Sequence, residues 1–131
     1  MNADDELTYE NSGAAILRFM PELQDVYFKV LNDYSSDSPP ESHALYAEVL
    51  TPHIQQLLAL SADTDVRLRR AFDLVERLAS SANPDVRDIA ITAIGEQLDG
   101  EPTLAVARRY MGRATRRIFK GLGRISWLPR R

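Results

Sequence analysis

The chain has no cysteine, which excludes a disulfide framework, a thiol nucleophile and any cysteine-ligated zinc or iron–sulfur site. Histidine is scarce: His43 and His53 are ten residues apart, too far along one helix to share a metal as an i, i+4 pair does. Long apolar runs are missing, and the strongest, Gly13–Leu17 and Leu57–Leu60, fall well short of a bilayer. The opening Met1-Asn-Ala-Asp-Asp-Glu is acidic where a secretory signal is basic and then apolar. A soluble cytoplasmic protein is therefore expected. Strand signals are nearly absent too, with no sustained apolar–polar alternation and no Asn-Gly or Asp-Gly hairpin turn. Nor is there a glycine-rich phosphate loop, a Gly-x-Ser-x-Gly or a His-Glu-x-x-His. Paired acids do occur: Asp63 with Asp65, Asp85 with Asp88, Asp99 with Glu101. They fall at helix termini, and capping and the helix dipole account for those at N-terminal ends. With no nucleophile or base converging on them, the expectation is a protein that is not an enzyme and uses neither cofactor nor metal.

What remains is a 131-residue chain with 44% hydrophobic and 27% charged residues, enough for a single globular domain spanning 1–131. The net charge of −3 conceals a sharp division. Residues 1–101 hold all 19 acids and seven Lys or Arg, a balance of −12; residues 102–131 hold nine Lys or Arg and no acid, a balance of +9. Such asymmetry implies an internal acid–base contact or two surfaces with different partners.

Helical periodicity runs from end to end and predicts an all-α fold of five to seven helices. A first helix is expected over about Ser12 to Phe19, with residues 1–11 flexible ahead of it. Pro21 opens a second, at a position that needs no N–H donor, and Leu23, Val26, Tyr27, Val30 and Leu31 mark its buried face. Ser35-Ser-Asp-Ser-Pro-Pro-Glu reads as a loop. A third helix starts near Ser42, and Pro52 is expected to kink or break it, with Thr51 as the new N-cap. Thr64-Asp-Val-Arg and Asn83-Pro-Asp-Val-Arg each open a further helix, running to about Ala79 and Leu98. These two share Asp, Val, Arg, Glu and Leu in register at an offset of twenty residues. Val66, Phe72, Val75, Leu78, Val86, Ile89, Ala93, Ile94 and Leu98 are expected to be buried between them. Gly100 closes the second of the pair. Pro102 then opens a last helix carrying Leu104, Ala107, Met111, Ala114 and Ile118, which Gly121 and Gly123 end. Asn83-Pro-Asp-Val-Arg-Asp-Ile-Ala-Ile-Thr-Ala-Ile-Gly resembles the second helix of a HEAT repeat, which implies HEAT-like antiparallel packing of the pair.

Arg108, Arg109, Arg113, Arg116, Arg117 and Lys120 recur at helical spacing, opposite the apolar positions of the last helix. One reading is a phosphate-binding stripe, with Trp127 available for stacking. The other is a solvated face whose arginines pair with the acidic body. An amphipathic membrane-surface helix ending in Ile125, Trp127 and Leu128 is a third.

Phe19-Met-Pro-Glu-Leu-Gln-Asp-Val-Tyr, the helix from Tyr46 to Leu60 and the segment Asp85-Val-Arg-Asp-Ile-Ala-Ile-Thr-Ala-Ile-Gly-Glu-Gln-Leu together resemble the small all-α bacterial proteins encoded beside polymorphic toxins, several of which are immunity proteins. The resemblance covers roughly residues 16–100. It implies a rigid helical scaffold that binds a cognate protein toxin and blocks its active site without chemistry. The −12 balance of the body suits a toxin with a basic active-site cleft. Candidate contacts are the acids and aromatics of the first three helices and their loop: Asp33, Tyr34, Asp37, Glu41, Tyr46 and Glu48. The alternative is a nucleic-acid or phosphate-binding adaptor acting through Arg108, Arg109, Arg113, Arg116 and Arg117.

Overall fold

Thr8 starts the first helix through a reciprocal cap: its hydroxyl accepts the Asn11 N–H at 3.2 Å while the Asn11 side chain accepts the Thr8 N–H at 2.8 Å. Helix α1 is Tyr9–Phe19, so it begins three residues ahead of the position that periodicity predicts, and Leu7 before it is already buried. The computed structural model describes residues 7–60, 66–98 and 104–126, with side chains as far as Gly121. All regular structure among them is helical.

Helix α2 covers residues 21–33, a 3₁₀ turn at Pro21–Leu23 running into Gln24–Asp33. The loop at residues 34–41 follows as the sequence predicts. Helix α3 covers residues 42–60, α4 is Val66–Ala79, and α5 covers residues 84–98. Helix α6 is Leu104–Ala107, extended by a 3₁₀ turn at Arg108–Tyr110, and α7 is Arg113–Ser126. The positions assigned to Thr64, Gly100, Pro102 and Trp127 as helix starts, a helix end and a stacking residue lie outside the described residues.

Pro52 does not break α3. The turn ahead of it, Tyr46–Leu50, is π-helical, and the Thr51 N–H reaches back to the carbonyl of Tyr46. This wider turn re-spaces the carbonyls that the proline ring would otherwise meet, so the helix passes through the proline. Thr51 is therefore not an N-cap. It has helical dihedrals and is buried, and its hydroxyl donates to the Ala93 carbonyl of α5 at 2.7 Å. That carbonyl belongs to a second π-helical stretch, Ile89–Gly95, inside α5. The two wide turns pack against each other at the centre of the molecule.

The core is shared by α1, α3, α4 and α5. Ile16, Leu50, Ile54, Leu68, Phe72, Ile89 and Ile94 are wholly buried. Gly13 lets α1 approach α3 closely, since a Cβ there would meet the Leu45 Cδ1 atom at 2.6 Å. Helices α4 and α5, joined by the turn at residues 80–83, pack on each other as the paired sequence pattern implies. Asn83 caps α5 by accepting the Asp85 N–H at 2.9 Å, with Pro84 at the first helical position. Of the residues expected between the pair, Phe72, Val75, Leu78, Val86, Ile89, Ala93, Ile94 and Leu98 are buried. Val66 is 68% exposed: it stands two turns ahead of Asp73 and shares that residue's solvent face. Val26 of α2 likewise flanks the buried stripe and is 44% exposed.

The basic end is two helices and not one. Met111 is extended (φ −76°, ψ 134°) and separates the 3₁₀ turn from α7, which continues through Gly121 to Ser126.

Candidate functional site

The break at Met111–Gly112 is held by a carboxylate from another helix. Glu76 of α4 accepts the N–H of Ala114 at 3.1 Å, the N–H of Thr115 at 2.9 Å and the Thr115 hydroxyl at 2.8 Å. It thus caps α7 from outside, satisfying donors that a helix start leaves without intrahelical partners. A Cβ on residue 112 would lie 2.4 Å from the Glu76 Cδ atom, so any other residue there would push the carboxylate out of its capping position. Partial burial raises the Glu76 pKa, but the Thr115 and Ala114 N–H groups, the Thr115 hydroxyl and the Arg117 charge outweigh it and hold the group below its ordinary value. Replacing Glu76 by Ala is expected to cost about 1–3 kcal/mol, the loss of charge-assisted bonds from half-buried donors. Because the folded-state pKa is depressed, the stabilisation is present above the ordinary glutamate range and is lost as pH falls through the folded value. Urea unfolding at a series of pH values checks this: the difference between wild type and variant should narrow toward acid.

This capping divides the predicted stripe. Arg108, Arg109, Arg113, Arg116 and Arg117 are all exposed, but they do not form one row. Arg108, Arg116 and Lys120 line a cleft of about 480 Å³ floored by Met111 and Phe119, in which Arg116 donates to the Arg108 carbonyl at 3.1 Å. Arg113 and Arg117 line another, of about 510 Å³, with Arg87, Ser80, Ser81 and Glu76. Arg109 lines neither.

The acidic candidates lie on and after α2. Asp33, Asp37, Glu41 and Glu48 are exposed. Tyr34 is half-buried and donates to Glu48 at 2.5 Å, a bond that raises the Tyr34 phenol above its ordinary value. Tyr46 is not a surface residue. It is wholly buried and its hydroxyl donates to the Ser12 carbonyl at 2.6 Å. Its spacing explains this, since Tyr46 lies three and four residues before Val49 and Leu50, both on the core face of α3. Burial drives its phenol pKa far upward. The aromatic that does reach solvent beside the acids is Phe28 of α2, 46% exposed and held edge-on to Tyr27 at 5.6 Å. Sequence reasoning passed over it. The available signal was its place just off the Leu23–Tyr27–Leu31 stripe, on a flank shared with Asp25 and Asn32.

A third group was also missed. Tyr9, His43 and Asp88 form a chain across α1, α3 and α5: the Tyr9 hydroxyl is 2.7 Å from His43 Nδ1, and His43 Nε2 is 2.9 Å from Asp88. The neutral Nε2–H tautomer satisfies both contacts, accepting from tyrosine and donating to the carboxylate. Burial raises the Tyr9 phenol above its ordinary value; hydrogen bonding from the His43 backbone opposes that, and Glu41 adds to the rise. The three residues are too distant in sequence for any local motif to join them. His43 is thus a joint between helices and not simply a polar residue on a helix face. Among the described residues, no group of three or more His, Asp or Glu is placed to hold a metal ion, and no helix is long and apolar enough to cross a membrane.

No curated protein and no solved structure matches the chain. A family model does match, over residues 14–127, and the protein belongs to the family described as Domain of unknown function (DUF7674).

Proposed function

We propose that the protein works by binding another protein, as a cytoplasmic bacterial immunity protein that neutralises a cognate toxin by covering its basic active-site cleft. The observation that carries this reading is Phe28, an exposed and internally braced aromatic on a helix bordered by Asp25 and Asp33 and followed by Asp37 and Glu41. Aromatic anchors set among charged rims are the usual energetic centre of protein interfaces. The remaining acids speed encounter with a cationic surface. The paired helices α4 and α5 would serve as a HEAT-like scaffold behind this face.

The test is co-expression with the product of the neighbouring gene, which this reading requires to be a toxin. Wild type is expected to restore growth. Phe28→Ala should weaken the complex by about 1–2 kcal/mol, mainly through faster dissociation. Neutralising Asp33, Asp37 and Glu41 together should slow association roughly tenfold at low salt. If the toxin arrests growth equally with and without this protein, the reading fails.

A further inference from the structure

The cleft between the 80–83 turn and the start of α7 collects cations that a toxin-binding face on α2 does not require. Its lining brings Arg87 from α5 together with Arg113 and Arg117 from α7, and adds Ser80 and Ser81 from the turn. One carboxylate, Glu76, also lines it, but that group already accepts three hydrogen bonds from Ala114 and Thr115. Among the described residues, three guanidinium groups therefore share the recess with a single acid, three of whose roughly four acceptor positions are already taken by α7.

The cations are arranged as well as numerous. Arg87 is half-buried and donates to the Ser81 carbonyl at 2.8 Å, which fixes its fork at the rim of the turn. Arg113 and Arg117 stand one helical turn apart on the same face of α7. Guanidinium groups offer paired parallel N–H donors that match the oxygens of a phosphoryl group, and a preset fork loses less freedom on binding than a mobile one. Ser81 accepts the Asn83 N–H at 3.1 Å through its hydroxyl oxygen, so the hydroxyl proton can turn toward a ligand. The recess, about 510 Å³, has the size of a small-molecule site. A nucleic-acid backbone would need a continuous row of cations, whereas here they are divided between two clefts, Arg113 and Arg117 in one and Arg108, Arg116 and Lys120 in the other. The neighbouring cleft of Arg108, Arg116 and Lys120 has an apolar floor of Met111 and Phe119 and, among the described residues, no hydroxyl in its lining.

We propose that the cleft lined by Arg87, Arg113, Arg117, Ser80 and Ser81 is a binding site for the phosphate group of a small phosphorylated molecule. The site stands apart from the toxin-binding reading and shares no residue with it.

Isothermal titration at low ionic strength tests this with inorganic phosphate, pyrophosphate and ribose 5-phosphate as probes and a single-stranded oligonucleotide as comparator. Saturable binding of at least one of the three small probes is expected. The double variant Arg113→Gln/Arg117→Gln should weaken it about tenfold or more, as loss of charge-assisted bonds implies. Arg108→Gln/Arg116→Gln should leave it within about twofold, since those residues line the other cleft. Circular dichroism verifies that each variant is folded; because Arg117 also acts on Glu76, Arg113→Gln alone serves if the double variant unfolds. Three results overturn the proposal: no saturable binding of any small probe, equal weakening by both double variants, or binding of the oligonucleotide alone.

Discussion

Tyr46→Ala is expected to lower stability by about 3–5 kcal/mol, as truncation of a fully buried aromatic does. The side chain fills the space between α1 and α3, and its hydroxyl holds the Ser12 carbonyl at 2.6 Å. Tyr46→Phe separates the two contributions. It keeps the ring and removes one buried hydrogen bond, for a loss of about 1 kcal/mol. Urea denaturation of both variants, with unchanged denaturant slopes, is the measurement. An interface residue would behave otherwise, weakening a complex while leaving the free protein as stable as before. If Tyr46→Ala proved neutral in the isolated protein, its place in the core would be wrong.

Phe72→Ala should be as costly, about 3–5 kcal/mol. Phe72 is wholly buried in α4 and stacks on Tyr110 of the 3₁₀ turn, with ring centroids 6.4 Å apart and planes 18° from parallel. It thus ties the acidic body to the basic end through packing, not through charge. Phe72→Leu keeps most of the volume and should lose less than about 1.5 kcal/mol. Salt distinguishes the two kinds of attachment. An electrostatically held C-terminal region would weaken as ionic strength rises, whereas the Phe72 contribution should change little between low and high salt. Thermal melts of wild type and Phe72→Ala at two salt concentrations read out both effects.

The fold was legible where a residue's environment follows from its own helix. Asn83-Pro84-Asp85 announces the start of α5, and the 72-75-78 spacing of α4 marks a face that is buried. The misses arose where a distant partner overrides local pattern. Pro52 looks like a break until the π turn before it and the carbonyl of Ala93 behind it are known. Gly112, set within a stretch of otherwise helical spacing, was the one local sign that the last helix is broken, because glycine disfavours helix interiors by about 1 kcal/mol. Its reason, the Glu76 carboxylate at its back, lies 36 positions earlier in the chain. The candidate surfaces were legible in charge but not in shape. The acids of the 33–41 stretch and the arginines at 108, 109, 113, 116 and 117 are exposed as their composition suggests, while the grouping of Arg113 and Arg117 with Arg87 depends on how α5 meets α7.

The two wide turns at Tyr46–Leu50 and Ile89–Gly95 bear on how this chain tolerates changes of length. Adding one residue to an ordinary helix rotates everything beyond it by about 100°, turning core positions toward water. A π turn accommodates the added residue locally, so the faces beyond it keep their orientation. Single-residue insertions and deletions among relatives are therefore best absorbed at these two places, and an alignment gap there would leave the core faces of Ile54 and Leu98 where they are. Because Thr51 bonds Ala93 between the two turns, a change of length in one would be felt directly by the other.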